Sequence, residues 1–521
     1  MNHSIPFAML AMAASPFTSQ AQVVTWSEDA ACIIYSHCSN CHRSDGMAPF
    51  NLMSYQDVVT NGTGIRAAVS TGEMPPWPPA GEQSHLGFRK DLSEDEKSLL
   101  IAWIDQGMPR GDSTQEPATP AFTSAYQIAI PDLIIQLPTY QIPSNLTDDI
   151  YRCFPIPSTL NGVNYLTEIE VVPGNGNAVH HALMYWDNSG IPALLDAADP
   201  GPGYTSFGGI GSNNATLVGG WVPGQDKWTS PPGMGFYLPQ GGDFVTQIHY
   251  PLASAGQWDS TSIRLKYTNT SLRPYMIQPV LNHSSNLING PFAIPAGQVK
   301  TFHEQITITQ AITVTSILPH AHLICVDMLA YGITPTGDTI HLIDIPHWDF
   351  HWQMNYTFKQ PIKIPSGTII HGYATYDNTV NNPNNPSSPP VWVTAGESTT
   401  DEMMIFFLGG SIYQAGDENL IIDPNDHLLH WQSCSASHIG LEDLESISWD
   451  PYPNPASSHV TLGFPAHSGQ LTVWNALGEI MFQGDNPTHL DVSNWPAGIY
   501  LGQIALPSGT FAARWAVVSS Q

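Results

Sequence analysis

The residues in this chain best suited to chemistry are histidines, and they come in short, regular groups. Leu318–Pro319–His320–Ala321–His322–Leu323 holds two of them one residue apart. The run before it, residues 311–317 (AITVTSI), alternates as a strand does. In continued strand geometry both imidazoles point to one face. Their Cα atoms then lie roughly 6.5–7 Å apart, within reach of one shared metal. A chain with 21 histidines produces such a pair by chance fairly often, so the pair needs partners. Three groups offer them: His180–His181, His249 in Thr246–Gln247–Ile248–His249–Tyr250, and Met403–Met404 directly after Asp401–Glu402. Adjacent strand residues face opposite ways, so His180 and His181 can share an ion only at a bend or strand end. Imidazole suits copper in either valence and a thioether favours soft Cu(I). Zinc prefers thiolate or carboxylate to methionine.

A second chemistry is written at Cys38–Ser39–Asn40–Cys41–His42, a C-x-x-C-H run. In a c-type haem attachment both thiols add to the porphyrin vinyl groups and the adjacent histidine becomes the proximal iron ligand. A redox C-x-x-C should sit near a βαβ pattern, and a zinc site needs a second ligand pair nearby; neither is present. The sixth iron ligand is best supplied by Met74 in Met74–Pro75–Pro76–Trp77, with Met47, Met53 and Met108 as competitors. A thioether there raises the iron potential.

The elements that must position these groups differ along the chain. Residues 28–37 can be helical before the haem motif. Ser93 is a good N-cap with Glu96 three residues on, and the helix should run to about Gln106 and stop at Gly107. Residues 114–125, polar and proline-containing, read as a semi-stiff spacer that holds the haem near the next domain without burying much interface. From 126 to 435 short alternating strands are separated by Gly, Pro and Asn turns, which predicts antiparallel sandwiches with an internal boundary near 270–295. The polar stretch 377–388 reads as a loop. Further strands are expected at 460–462, 471–474 and 499–502, with turns at 476–478 and 495–498. The fold class is therefore mainly β: two antiparallel β-sandwich domains, preceded by a small all-α domain and followed by a small β-sandwich.

Composition agrees. The chain has 521 residues, enough for several cores, and its 43 Gly and 45 Pro mark a loop-rich β protein. A formal net charge of −29 repels phosphate backbones and excludes nucleic acid as a partner. Residues 1–21 resemble a secretory signal, with an apolar core at 5–14 and a small-residue cleavage site at Ser19–Gln20–Ala21, although no Lys or Arg precedes it. No later run reaches the ~18 apolar residues of a membrane span. Cys32, Cys153, Cys325 and Cys434 lie outside the haem motif. An oxidising compartment permits disulfides, and Cys153 and Cys434, which flank the central region, suggest a bridge.

Three resemblances gather these motifs. C-S-N-C-H, A-P-F-N-L, M-P-P-W and W-I-D-Q-G together resemble the cytochrome c-like domains of exported bacterial proteins, which implies Met74 as axial ligand beside His42. The ordered set H-H, I-H-Y, H-x-H and D-E-M resembles the copper type II, ascorbate-dependent monooxygenases, the family of peptidylglycine α-hydroxylating and dopamine β-monooxygenases. That resemblance implies two β-sandwich domains facing across a solvent-filled cleft, each with one copper. His180, His181 and His249 would hold the electron-transfer copper. His320, His322 and Met403 would hold the oxygen-binding one, with Met404 the adjacent alternative. His341, His347, His351 and His371 have no counterpart and read as structural or surface residues. Y-P-N-P, L-G-x-I and P-A-G-I-Y resemble the C-terminal sorting domain of type IX secretion. The implied layout is 1–21 signal peptide, 22–113 haem domain, 114–125 linker, 126–283 and 284–436 copper domains, and 445–521 sorting domain.

The departures narrow the chemistry. The peptide-amidating enzymes clamp a substrate carboxylate with an Arg two residues before the H-x-H and an Asn and Tyr after the Met. This chain has Leu318, Ile405 and Phe407 there. A buried carboxylate without such partners is costly, so a substrate neutral or apolar near the reacting carbon is expected. The resulting expectation is an exported copper-dependent monooxygenase that hydroxylates a C–H bond of a small-molecule or peptide substrate with O2. It would use two copper ions and one covalent haem c, an external ascorbate-like reductant or redox protein, and the type IX machinery for release or surface attachment. Two rivals differ in what they bind. A haem and copper electron-transfer or copper-binding protein would hold the same metals without consuming oxygen. A surface module binding glycan or peptide would hold no copper.

Overall fold

The computed structural model describes residues 23–422 apart from 45, 47, 81, 82, 84 and 123–125, and then 456–461, 470–475, 480–485, 489–496, 498–506 and 509–517. The expected signal peptide, Met47, Cys434, the Y-P-N-P motif and the 476–478 turn lie outside the described residues.

Helices dominate residues 26–105. A π-helical turn, Trp26–Ala30, runs into α1, Ala31–His37, which ends at the first cysteine of the haem motif. α2, Tyr55–Thr71, begins where the Ser54 hydroxyl accepts the Asp57 N–H, and stops at Gly72 with φ of 78°. α3, Glu94–Asp105, starts at the expected Ser93 with a complete capping box to Glu96. Trp26 is fully buried, 5.5 Å from Tyr35 and 5.7 Å from Trp103 by ring centroids, and anchors this small core. Gly62 on α2 leaves room for the Met108 thioether: a Cβ there would lie 2.5 Å from Met108 Sδ. Met108 is thereby packing material in the module core.

The loosely tethered haem module expected from the 114–125 spacer is not what the chain forms. Leu86 is fully buried in the core of the second β half, and Trp77 stands edge-on to Tyr356 at 5.5 Å. Gly87 N–H donates to Thr357 O, Lys359 N–H to His85 O, and Ala80 N–H to Asp344 O, so the loop after Met74 pairs against the strand Tyr356–Ile364 and also bonds to Thr339–Ile345 of another sheet. Long-range backbone pairing of this kind leaves no mark in local sequence.

The chain is mainly β. In the first β half a five-stranded sheet runs in the order Tyr204–Thr205, Ile150–Ile156, Asp243–Tyr250, His181–Asp187, Thr216–Trp221. In the second, a four-stranded sheet orders Gln298–Thr307, Ile369–Asn378, Cys325–Ile333 and Thr339–Ile345. A nine-stranded sheet crosses both halves. Its joint is Arg273–Asn282, parallel to Met234–Leu238 on one side and antiparallel to Ile405–Ile412 on the other; Ile405–Ile412 then pairs with Ile312–His320. The expected boundary at 283 thus falls at the end of a strand that both halves share. One core gathers on Met184, Trp186 and Phe236, the other on Phe302, Tyr376 and Phe406. The suggested Cys153–Cys434 bridge is not formed: Cys153 is a buried free thiol on Ile150–Ile156, beside Gln247. Among the described residues no helix is long and apolar enough to cross a membrane.

The C-terminal strands belong to a second compact unit. His459–Thr461 pairs with His489–Asp491, and a four-stranded sheet orders Ile480–Asp485, Gln470–Asn475, Gly498–Leu506 and Gly509–Val517 over a core that includes Leu471, Val473 and Tyr500. All three strands expected here are present, each one to several residues longer or shifted.

Candidate metal centres

The first set assembles where three backbone segments meet. The strand His181–Asp187 begins at His181, so His180 sits just off its end, the break that a shared ion requires. His180 N–H donates to His249 O at 3.0 Å, and His249 lies directly opposite His181 in the ladder. The result is convergence of Nδ1 atoms: His180 to His181 at 3.3 Å and His249 to His181 at 3.4 Å. One ligand atom from each of the three falls within 4.8 Å of the others. Burial drags the His180 pKa down to about 3 and that of His181 well below its ordinary value, and the neighbouring histidines push the same way. A proton shared among these nitrogens is therefore disfavoured, and a metal cation is the partner that such converging lone pairs fit. On the far side of His249, Nε2 contacts Asp149 Oδ2 at 3.1 Å, while Asp149 Oδ1 accepts the Leu252 N–H. This carboxylate–histidine pair fixes the ring and its tautomer, as outer partners of metal ligands do. Tyr151 stacks on the His249 ring at 4.3 Å, nearly parallel.

The second set sits at the end of the strand Ile312–His320. His320 and His322 rings lie 5.2 Å apart. Gln353 Oε1 accepts from His320 Nδ1 at 2.5 Å, and Asp401 O accepts from His322 Nδ1 at 3.1 Å. Both rings consequently present Nε2 as the free lone pair. Burial first, and neighbouring histidines after it, take His320 down to about 4 and His322 to about 3. Glu402, fully buried, organises the backbone: Oε2 accepts the N–H of His322 at 2.8 Å and of Met403 at 3.2 Å, and Oε1 accepts that of Ile324 at 2.8 Å. Tyr376 O–H adds a bond to Met403 O at 2.7 Å. One carboxyl thus ties together the chain at His322 and at Met403. Met404 is fully buried in the second β core, whereas Met403 belongs to neither core, which separates the two adjacent methionines.

The two sets meet at a ring. Phe350 stacks on His180 at 4.5 Å and stands edge-on to His322 at 6.0 Å. Part of the space between the sets, where a solvent-filled cleft is expected, is occupied by this side chain.

At the C-x-x-C-H motif Cys38 and Cys41 are free thiols, and His42 Nδ1 donates to Phe50 O at 3.1 Å, which leaves Nε2 as the lone pair that could ligate a metal. Two unpaired cysteines and one tautomer-fixed histidine are the donor set a covalent haem needs. Burial pushes the Cys38 thiol up to about 12. Met74 is half-buried just beyond α2, its N–H on Ala68 O.

Of the histidines without a family counterpart, His341 and His347 are exposed, and His351 is exposed and bonded to Asp349. His371 contacts His303 at 2.9 Å on the adjacent strand of the four-stranded sheet. Sequence reasoning missed Asp149, Gln353 and Phe350. Asp149 stands one residue before a strand, where its carboxylate gives no periodic signal. Gln353 and Phe350 lie on a loop about 30 residues past the H-x-H, and only the tertiary fold returns them to it.

Residues 451–517 match the family described as Secretion system C-terminal sorting domain. No curated protein matches the chain. Among solved structures, PNGF-II in a P21 space group is similar at 9% identity and a TM-score of 0.23, over 54% of this chain and 66% of its own. PNGF-II in a C2 space group shows 10% identity and a TM-score of 0.19, over 63% of this chain and 72% of its own. The infectious bursal disease virus VP2 subviral particle shows 11% identity and a TM-score of 0.13, over 57% and 86%. Likeness at these TM-scores carries no argument about fold or function. The sorting domain does: it marks this protein for export by type IX secretion, to the cell surface or the surrounding medium.

Proposed function

We propose that this exported protein is a copper-dependent monooxygenase hydroxylating a C–H bond with O2, with electrons entering through the c-type haem motif. The observation that carries the reading is the pair of imidazole sets, three converging Nδ1 atoms in one and His320 with His322 in the other, the latter tied through Glu402 to the Met403 backbone, with Phe350 in contact with both sets. Copper on the second set would supply oxygen activation, and copper on the first would supply the second of the two electrons a turnover needs.

The chain's own residues do the rest. The lowered pKa values of His180, His181, His320 and His322 keep those four imidazoles neutral near pH 7, so a metal does not compete with protons for them. Asp149 and Gln353 orient rings, and Glu402 sets the spacing of His322 and Met403. Substrate choice follows from the departures. Leu318 and Phe407 are cross-strand partners, and His320 pairs with Ile405 in the next register positions on the same face. A carboxylate brought to this face would find Leu and Phe where a clamp needs Arg and Tyr, so a neutral, apolar group is the better fit.

Met403→Ala is the direct test. With copper, ascorbate and a panel of apolar substrates, oxygen uptake and hydroxylated product are expected to vanish in the variant while the haem absorption bands stay as in the parent. Hydroxylation that survives in Met403→Ala would overturn the assignment.

A further inference from the structure

The segment from Trp348 to Gln353 touches both imidazole sets and, through one more loop, the haem motif. At one end Asn40, between the two haem-motif cysteines, donates Nδ2 to Asp226 Oδ1 at 3.3 Å. Lys90 Nζ pairs with Asp226 Oδ2 at 3.2 Å and donates to Gly224 O. Gly224 packs on the Trp352 indole: its φ is +81°, and a Cβ would lie 3.0 Å from the ring. At the other end Gln353, the next residue, holds His320 Nδ1, and its Nε2 donates to Phe350 O at 2.8 Å. Phe350 stacks on His180, and Trp348 Nε1 donates to His322 O at 3.2 Å. Haem motif, three-histidine set and two-histidine set are therefore joined by covalent bonds, hydrogen bonds and packed rings. Electrons cross such media far more readily than solvent gaps.

We propose that residues 348–353 are the electron conduit between the haem and the copper ligands, with Trp352 as the entry residue from the 224–226 loop. The inference rests on the proposed haem and copper reading and names the path within it. Each transfer would carry one electron from a ferrous haem held by Cys38, Cys41 and His42 to one Cu(II) held by the histidines, leaving ferric haem and Cu(I), and an ascorbate-class reductant would restore the haem. Trp352 is not one of the proposed metal ligands; its indole packs on Gly224. It acts by coupling the centres.

Flash photoreduction of the full-length holoprotein reads this step directly. A photoexcited flavin injects one electron into the fully oxidised protein, and the ferrous haem absorbance is followed without oxygen. In the parent, ferrous haem is expected to decay when copper is bound and to persist when copper is removed. Trp352→Leu should slow that decay by at least about tenfold, and Trp352→Phe should restore much of it, with copper content and haem midpoint potential unchanged. Asp226→Ala, which loosens the Asn40 and Lys90 contacts from the far end, should slow it as well. Decay at the parent rate in both Trp352→Leu and Asp226→Ala would overturn the conduit alone. A parent whose ferrous haem persists with copper bound would overturn the coupling of haem to copper itself.

Discussion

Glu402→Ala is expected to cost about 3–5 kcal/mol of stability and to remove one of two copper ions per chain while the haem spectrum is unchanged. The substitution strands three buried N–H groups, those of His322, Ile324 and Met403, and each unsatisfied buried group costs roughly 1–3 kcal/mol. It also unties the two backbone segments that carry His322 and Met403, so the proposed metal site should fail with the fold around it. Burial raises the Glu402 carboxyl to about 8, against the pull of those N–H donors. Its role is therefore acceptance of hydrogen bonds more than negative charge. Glu402→Gln keeps an acceptor oxygen of the same shape and should cost less than half as much. Chemical denaturation with copper analysis of the folded protein checks both.

The second large effect has the opposite sign. Glu304 is fully buried on Gln298–Thr307, and neither carboxyl oxygen has a hydrogen-bond partner. Burial alone raises its pKa from the usual 4.5 to about 9. A carboxyl raised in the folded state binds its proton more tightly there than in the unfolded chain. Stability is therefore undiminished below pH 4.5 and falls as pH rises from 4.5 towards 9. At pH 7 the gap amounts to roughly 3 kcal/mol. Glu304→Met keeps the volume and leaves no partner stranded. It should raise the melting temperature clearly at pH 8 and by little at pH 4.5, as read by calorimetry at the two pH values. A gain independent of pH would contradict the buried, unpaired carboxyl.

Local signals were the most legible. The Ser93–Glu96 box and Gly107 bounded α3 because caps are chemical events at single residues. The strand ending at His320 was readable from alternation, and the register of His249 opposite His181 brought together histidines that sequence order had only grouped. α2 was not foreseen, since Gly62, Gly64 and its β-branched residues depress helix propensity, and its stability comes from packing. The docking of Trp77 and Leu86 into the second β core, and the return of Phe350 and Gln353 to the histidines, depend on contacts over long sequence separations that no local pattern encodes. The sorting domain was fully legible because its motifs carry their own order.

The central claim, that two imidazole sets hold copper beside a haem, is tested most directly by metal analysis of the full-length protein exported from cells supplied with copper and haem. Two copper ions and one covalent haem per chain are expected, with copper falling to one in His249→Ala and in His322→Ala. Copper at zero in the parent, or zinc in its place, would contradict it.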